Sequence, residues 1–222
     1  MSELDKIAER YKRRAPDAVA DKFSIPFTSF IVNEREGRYR KEILKHFDQI
    51  NNLKILEIGA GGGSNLYFFK DIGILPENIF ANELLPERIE QLRLNHPDVH
   101  IIEGDACEIN ENEKFDIVFQ STVFTSILDE GFRIKLAERM QSLVKKNGII
   151  LWYDFVYNNP SNNDVKRVSK NEILKLFNGL KKIEFFPVTL APPIGRKIGT
   201  FYTLINKLFP FLRTHVIAVI QY

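Results

Sequence analysis

Four of the five residues Gly59-Ala-Gly-Gly-Gly63 are glycine, and they follow directly on the apolar run Leu53-Lys-Ile-Leu-Glu-Ile58. A strand that ends in such a turn suits few folds, because glycines let the backbone come very close to a ligand. The residues beyond it narrow the choice. Strand-like runs recur at 53–58, 79–82, 99–102, 115–120 and 148–153, with helical stretches among them. Alternation of this kind predicts a parallel sheet covered by helices on both faces. Pro86 suits the first turn of the helix PERIEQLRL, where its missing N–H costs nothing. Asp129 can cap the next long helix, whose Phe132, Leu136, Met140, Leu143 and Val144 fall on one face, and Asn147-Gly148 is expected to stop it. Ser169-Lys-Asn-Glu172 reads as a capping box for a helix through about residue 177.

The two ends of the chain break the alternation. Residues 3–14 and 34–49 read as helices, and DKFSIPFTSFIV between them as loop-like, with Phe23, Phe27 and Phe30. Residues 181–190 and 215–222 are both strand-like, yet the segment between them holds no crossover unit of the earlier type. A last strand running antiparallel to its neighbours accommodates this. The expected organisation is a set of N-terminal helices with a cofactor or substrate lid over 1–50, and a main domain over 51–222 whose residues 191–213 form a substrate lid.

Composition excludes several classes. A net charge of +2 gives no concentrated basic footprint for nucleic acid. The single cysteine, Cys107, rules out an internal disulfide and a cysteine metal cluster. The charged N-terminus MSELDKIAERYKRR has no signal-peptide core, and no run approaches the ~18 apolar residues of a membrane span. The expectation is a soluble, cytoplasmic protein.

Three nucleotide-type readings compete for the glycine loop. A phosphate-cradling ATPase loop needs a Gly-Lys-Ser/Thr ending, and here Gly63 is followed by Ser64-Asn65. The dinucleotide fingerprint would need glycine or alanine at Ser64 and matches only loosely. The third reading uses Glu57, Gly59, Gly61 and Gly63. A carboxylate two places before the first glycine repels a pyrophosphate and attracts an ammonium group, which favours a cofactor carrying an amino acid. Glu83, after the strand IFAN, stands where an acid can accept both hydroxyls of a ribose. Asp105 follows the third strand and could take an adenine amino hydrogen, with Ala106 beside it; the strand FDIVFQS ends beside the crevice at Gln120 and Ser121.

In motif order, EIGAGGG, ANE, EGDA, FDIVFQS and GIILWYD, the chain resembles the class I S-adenosylmethionine-dependent methyltransferases over roughly residues 35–155. The resemblance implies a Rossmann-like, doubly wound α/β fold with a seven-stranded sheet whose last strand is antiparallel. It implies S-adenosyl-L-methionine as cofactor and S-adenosyl-L-homocysteine as product, with Glu57, Gly59, Gly61 and Gly63 on the methionine part, Glu83 on the ribose and Asp105 on the adenine. The segments STVFTSILDE, LWYDFVYNNPSNNDV, TLAPPIGRK and LRTH more loosely resemble a bacterial subgroup associated with glycan or polysaccharide biosynthesis.

For a hydroxyl acceptor, alignment supplies about 7–11 kcal/mol at best, and a positioned base about 10²–10⁴ in rate. His46, His96 and His100 are expected away from the crevice. His215, at the start of the antiparallel strand, is the base candidate, with Asp154 as rival. Tyr153, Arg196 and Arg213 are candidate substrate residues. Ile198, Phe201, Ile205 and Leu208 fit one helix face, and packing onto the domain is expected rather than contact with a membrane; a lipid-linked acceptor stays open. Residues 22–32 are expected to close over the cofactor. No metal is expected: the fourth strand ends in Gln-Ser-Thr, without a carboxylate anchor, and turn formation explains the asparagines of 158–163. The sequence thus points to methylation of a small polar acceptor, a sugar or glycan hydroxyl in the first instance, with no nucleic-acid partner. A non-catalytic cofactor-binding partner subunit and an RNA or protein methyltransferase are the alternatives.

Overall fold

The computed structural model describes residues 2–13, 26–160 and 162–221. Seven strands form one sheet: β1 (Ile55–Ile58), β2 (Ile79–Glu83), β3 (His100–Glu103), β4 (Phe115–Ser121), β5 (Val144–Phe155), β6 (Lys182–Leu190) and β7 (Arg213–Gln221). Their spatial order is β3-β2-β1-β4-β5-β7-β6. β1 to β5 are parallel, and β7 runs antiparallel between β5 and β6. The chain therefore has the expected Rossmann-like fold, antiparallel last strand included.

The period of two along each strand sorts side chains into two cores. Leu56, Val118, Ile150, Trp152 and Ala218 face α5 (Glu130–Leu143) and α6 (Lys170–Leu176), where Leu136, Met140 and Ile173 complete the packing. Ile55, Phe119, Leu151, Tyr153 and Ile217 face α2 (Pro26–His46) and α3 (Leu66–Asp71), meeting Tyr39, Ile43 and Phe69. α4 (Pro86–Asn95) follows β2 and begins on Pro86. α1 (Glu3–Arg13) adds Ile7 to the first core.

Local signals at helix starts hold. Asp129 Oδ1 accepts from the Phe132 N–H at 2.7 Å, and the Ser169–Glu172 capping box is complete. Two expectations are corrected. α5 ends at Leu143, not at Asn147-Gly148, and Val144 already opens β5. Gly148 instead lies within that strand, where an added Cβ would stand 2.7 Å from the Asp116 carbonyl of the neighbouring strand; close backbone approach, not helix termination, requires the glycine. Likewise residues 26–32 are not a loop but the first two turns of α2. Phe27, Phe30 and Ile31 stand at helical spacing and bury against Tyr202, so tertiary packing overrides the turn-like composition. Phe23 lies outside the described residues.

Between β6 and β7 the chain forms α7 (Pro192–Ile198) and α8 (Tyr202–Leu208). Glu34 of α2 holds this segment: it accepts from the Tyr202 hydroxyl at 2.8 Å, from Asn206 Nδ2 at 2.7 Å and from the Thr189 N–H at 3.1 Å. Among the described residues no helix is long and apolar enough to cross a membrane.

Candidate active site

A cavity of about 1210 Å³ opens at the carboxyl ends of β1, β2, β3 and β4, roofed by α1 and the start of α2. The order β3-β2-β1-β4 makes this the edge where the connections part to opposite faces of the sheet, the place where open α/β sheets bind ligands.

The glycine loop forms its floor. Gly59, Gly61 and Gly63 all have left-handed backbone, with φ of 63°, 60° and 85°. At Gly61 the conformation aims the backbone N–H at Glu83, whose Oε2 accepts it at 2.7 Å. Glu83 Oε1 accepts from the Leu84 and Leu85 N–H groups at 2.8 and 2.9 Å. Three donors thus fix this carboxylate at the cavity wall, leaving acceptor capacity on Oε2. Asp105 spends Oδ1 on the Cys107 N–H at 2.9 Å, and it lines the cavity with Ala106. Gly63 serves packing: a side chain there would collide with the buried ring of His96, which lies beneath the loop and outside the cavity lining, as expected.

Glu57 lies just behind the lining, 1% exposed. Its Oε1 accepts from Asn65 Nδ2 at 2.6 Å, while Oε2 is buried with no hydrogen-bond partner. Burial pushes its carboxyl up to about 8, against the Asn65 hydrogen bond and the charge of Arg35. Arg35, from α2, donates to Asn65 Oδ1 at 2.9 Å and packs over the Tyr153 ring at 5.4 Å. Arg35 and Asn65 both line the cavity and were not singled out from sequence. Asn65 closes the glycine run, which could have flagged it; Arg35 is contributed by a distant helix, and nothing local marks it.

Gln120 is buried and does not line the cavity. It donates to the Tyr153 carbonyl at 3.3 Å and accepts from the Val123 N–H at 2.9 Å, fixing the turn that presents Ser121, Thr122 and Val123. Thr122 there has φ of 60°, a costly conformation for a β-branched residue.

The other expected site residues lie elsewhere. His215 stacks on Tyr153 with centroids 5.3 Å apart, and its Nδ1 lies 3.0 Å from Thr214 Oγ1. Burial, reinforced by Arg35, lowers its pKa to about 4. The antiparallel strand does start on the expected edge, opposite Phe155. However, β7 stands two strands beyond β4, ~10 Å further along the sheet, and His215 does not line the cavity. Asp154 points to the opposite face, fully buried. It accepts from the Thr125 and Phe155 N–H groups at 3.3 and 3.1 Å, and burial raises it to about 7. The Tyr153 hydroxyl pairs with Thr189 Oγ1 at 3.2 Å. Arg213 binds Asn206 Oδ1, the Asn206 carbonyl and the Pro187 carbonyl at 2.8, 2.9 and 3.1 Å, tying α8 to β7. Arg196 is exposed on α7.

Residues 191–213, expected over the crevice, contribute nothing to the lining, whereas α1 and α2 supply Leu4, Tyr11, Thr28, Ile31 and Arg35. Residues 26–32 accordingly divide: Thr28 faces the cavity, Phe27 and Phe30 face Tyr202, and Ile31 borders both.

Fold and cavity together define the architecture of the S-adenosylmethionine-dependent methyltransferases. An S-adenosylmethionine-dependent methyltransferase of Archaeoglobus fulgidus superposes with a TM-score of 0.58 at 16% identity, over 87% of this chain and 99% of that one. One from Mesorhizobium loti gives 0.59 at 11% identity, over 82% and 96%. At such identities the likeness is one of fold. Residues 55–148, from β1 into β5, match the family described as "Methyltransferase domain". A ribosomal protein L11 methyltransferase of Fusobacterium nucleatum is 28% identical over 107 residues, 46% of this chain; the chain spans about a third (32%) of that relative's length. Residues 55–148 thus carry a methyltransferase domain, on a fold shared with proteins that use S-adenosyl-L-methionine as cofactor.

The residues fit that cofactor. Glu57 carries an orphaned buried oxygen beside the loop, the left-handed glycines keep side chains out of the cradle, and Glu83 and Asp105 present acceptors at successive strand ends. A pyrophosphate would meet the Glu83 and Asp105 carboxylates here, with Glu57 behind them, whereas an adenosyl amino acid would offer hydroxyl, amino and ammonium groups to the same acids.

Proposed function

We propose that the protein catalyses S-adenosylmethionine-dependent methyl transfer to a small polar acceptor, a hydroxyl of a sugar or glycan precursor. The observation that carries the donor half is the convergence of Glu83 and Asp105 on one cavity around a left-handed glycine loop, with Glu57 just behind the lining and bonded to its Asn65. Glu83 would take ribose hydroxyls and Asp105 the adenine amino group. Glu57 would face the methionine ammonium, and Arg35 the methionine carboxylate. Bound there, the cofactor supplies a methyl group already activated on a positively charged sulfur.

The acceptor half rests on what else lines the cavity. Its volume exceeds the roughly 300–1,000 Å³ of a single-ligand pocket, leaving room beside the cofactor. The lining also carries Tyr11, Lys12, Arg88, Ser121, Thr122 and Ser126, groups suited to hydroxyl recognition. Alignment rather than a strong base drives this reading, since no histidine lines the cavity among the described residues. His215, with its pKa near 4, is a weak base; its role and that of Asp154 are read as support of Tyr153 and of the 122–126 turn.

Transfer of labelled methyl from S-adenosylmethionine to a panel of sugars and nucleotide sugars, in parallel with proteins, tests the proposal. Labelled sugar hydroxyls are expected. Cofactor binding with no transfer to any acceptor would replace the enzyme by a cofactor-binding partner subunit. A protein acceptor is the second reading, favoured by the name of the Fusobacterium relative, and labelled protein would establish it. His215→Ala should leave turnover within about threefold; a loss in the 10²–10⁴ range typical of a general base, with cofactor affinity intact, would restore His215 as the base.

A further inference from the structure

The segment between β6 and β7 is apolar on both of its faces. Inward, Tyr202 and Ile205 of α8 pack with Ile198 on Phe27 and Phe30. Outward, Phe201, Leu204 and Leu208 stand at positions i, i+3 and i+7, one stripe of a helix, and are 64%, 53% and 59% exposed. Phe209 and Phe211, with ring centroids 5.8 Å apart, extend the stripe at 40% and 73% exposure. The four apolar residues expected on one face are thus split: Ile198 and Ile205 pack inward, Phe201 and Leu208 outward. Five large apolar side chains exposed within eleven residues mark an interaction surface rather than ordinary scatter.

The charges around the stripe say what covers it. Residues 191–213 contain four cations and no acid. Arg213 is consumed internally, but Arg196, Lys197 and Lys207 are exposed and form no ion pair among the described residues. Glu34, the acid packed beneath α8, is spent on Tyr202, Asn206 and Thr189. A second copy meeting this face through its own would set these cations against one another. An anionic bilayer surface complements both features, taking the phenylalanines and leucines into its headgroup boundary and the cations at its phosphates.

We propose that the outer face of α8 and the turn after it, with the flanking cations, docks on an anionic lipid surface. The docking is peripheral and independent of the methyl-transfer reading. Because α2 carries the inner face of α8 on one side and cavity residues Thr28, Ile31 and Arg35 on another, docking would set the cavity roof close to the membrane.

Co-sedimentation of the full chain with vesicles tests it. Binding is expected to phosphatidylcholine vesicles containing phosphatidylglycerol, weakening with salt, and not to phosphatidylcholine alone. Phe201→Ser with Leu204→Ser and Phe211→Ser should lose about tenfold or more in partitioning, with circular dichroism and S-adenosylhomocysteine affinity unchanged. Lys197→Glu with Lys207→Glu, which leaves the packed face untouched, should cost about fivefold or more per cation. Absence of binding to the anionic vesicles at low salt overturns the proposal, as does equal binding to neutral ones. A concentration-dependent dimer in sedimentation velocity that the triple serine variant abolishes would also overturn it, giving the face to a second copy.

Discussion

The two halves of the sheet are built alike and used differently. At or within two residues of the carboxyl end of each of β1 to β4 stands a polar residue that turns to the cavity or to the loop that lines it: Glu57, Glu83, Asp105, Gln120. Around β5, β7 and β6 the polar residues at the same edge turn to one another. Tyr153 meets Thr189 and His215, Arg213 meets Asn206, and Glu34 gathers Tyr202, Asn206 and Thr189. The first arrangement leaves acceptors open to a ligand; the second spends them on attaching α2 and α8. Position at a sheet edge therefore does not make a residue part of the site. Orientation and distance from the switch point do.

Substitutions that separate the halves sharpen this. Gly61→Arg should have the largest effect: left-handed backbone costs a side-chain-bearing residue about 1–2 kcal/mol, and the arginine would fill the cradle. S-adenosylhomocysteine affinity by calorimetry should fall about a hundredfold or more; intact binding would remove the cavity as the cofactor site. Glu83→Gln removes a charged acceptor worth about 1.5–3 kcal/mol, so affinity should drop by about 10–100-fold, with a smaller loss of stability because the new amide faces a backbone N–H that the carboxylate served. Arg213→Ala should reverse that pattern. Loss of its three hydrogen bonds should destabilise the protein by about 1–3 kcal/mol, with cofactor affinity unchanged, and a matching loss of affinity would mean the halves are coupled.

The smallest effect is one of protons. Glu57 has its pKa raised to about 8 by burial, so between its unfolded value near 4.5 and about 8 the folded protein holds a proton the unfolded chain has lost. Stability from this group therefore falls as pH rises through that window, and Asp154, raised to about 7, adds a contribution of the same sign. A ligand ammonium beside Glu57 would expel its proton. Calorimetry near pH 7 in buffers of different ionisation enthalpy should show release approaching one proton per cofactor bound, and Glu57→Gln should abolish it. Release unchanged in that variant would place the ammonium elsewhere.

Much of the first half was legible in the primary structure because its signals are local. Gly59, Gly61 and Gly63 take positive φ within a few residues of the acid they serve, Asp129 and Ser169 cap their own helices, and β-strand alternation is read within one strand. The second half was not legible in the same way. The stripe Ile198, Phe201, Ile205 and Leu208 reads as one apolar face, yet only its packing against Phe27 and Phe30 tells which members turn inward. His215 reads as a cavity residue because strand direction is predictable, whereas its distance from the cavity follows from β7 inserting beyond β5.

The sequence by itself determined the sheet, its antiparallel last strand and the acids that stand around the glycine loop, since these depend on backbone conformation, period and charge sign at short range. Only the tertiary structure decided that Arg35 and Asn65 join Glu57 behind the loop, that α1 and α2 rather than residues 191–213 roof the cavity, and that α8 presents an uncovered apolar face. Those choices come from contacts between separate elements, from 8 residues apart at Glu57–Asn65 to 172 at Glu34–Asn206, where packing and desolvation, not local propensity, set the minimum.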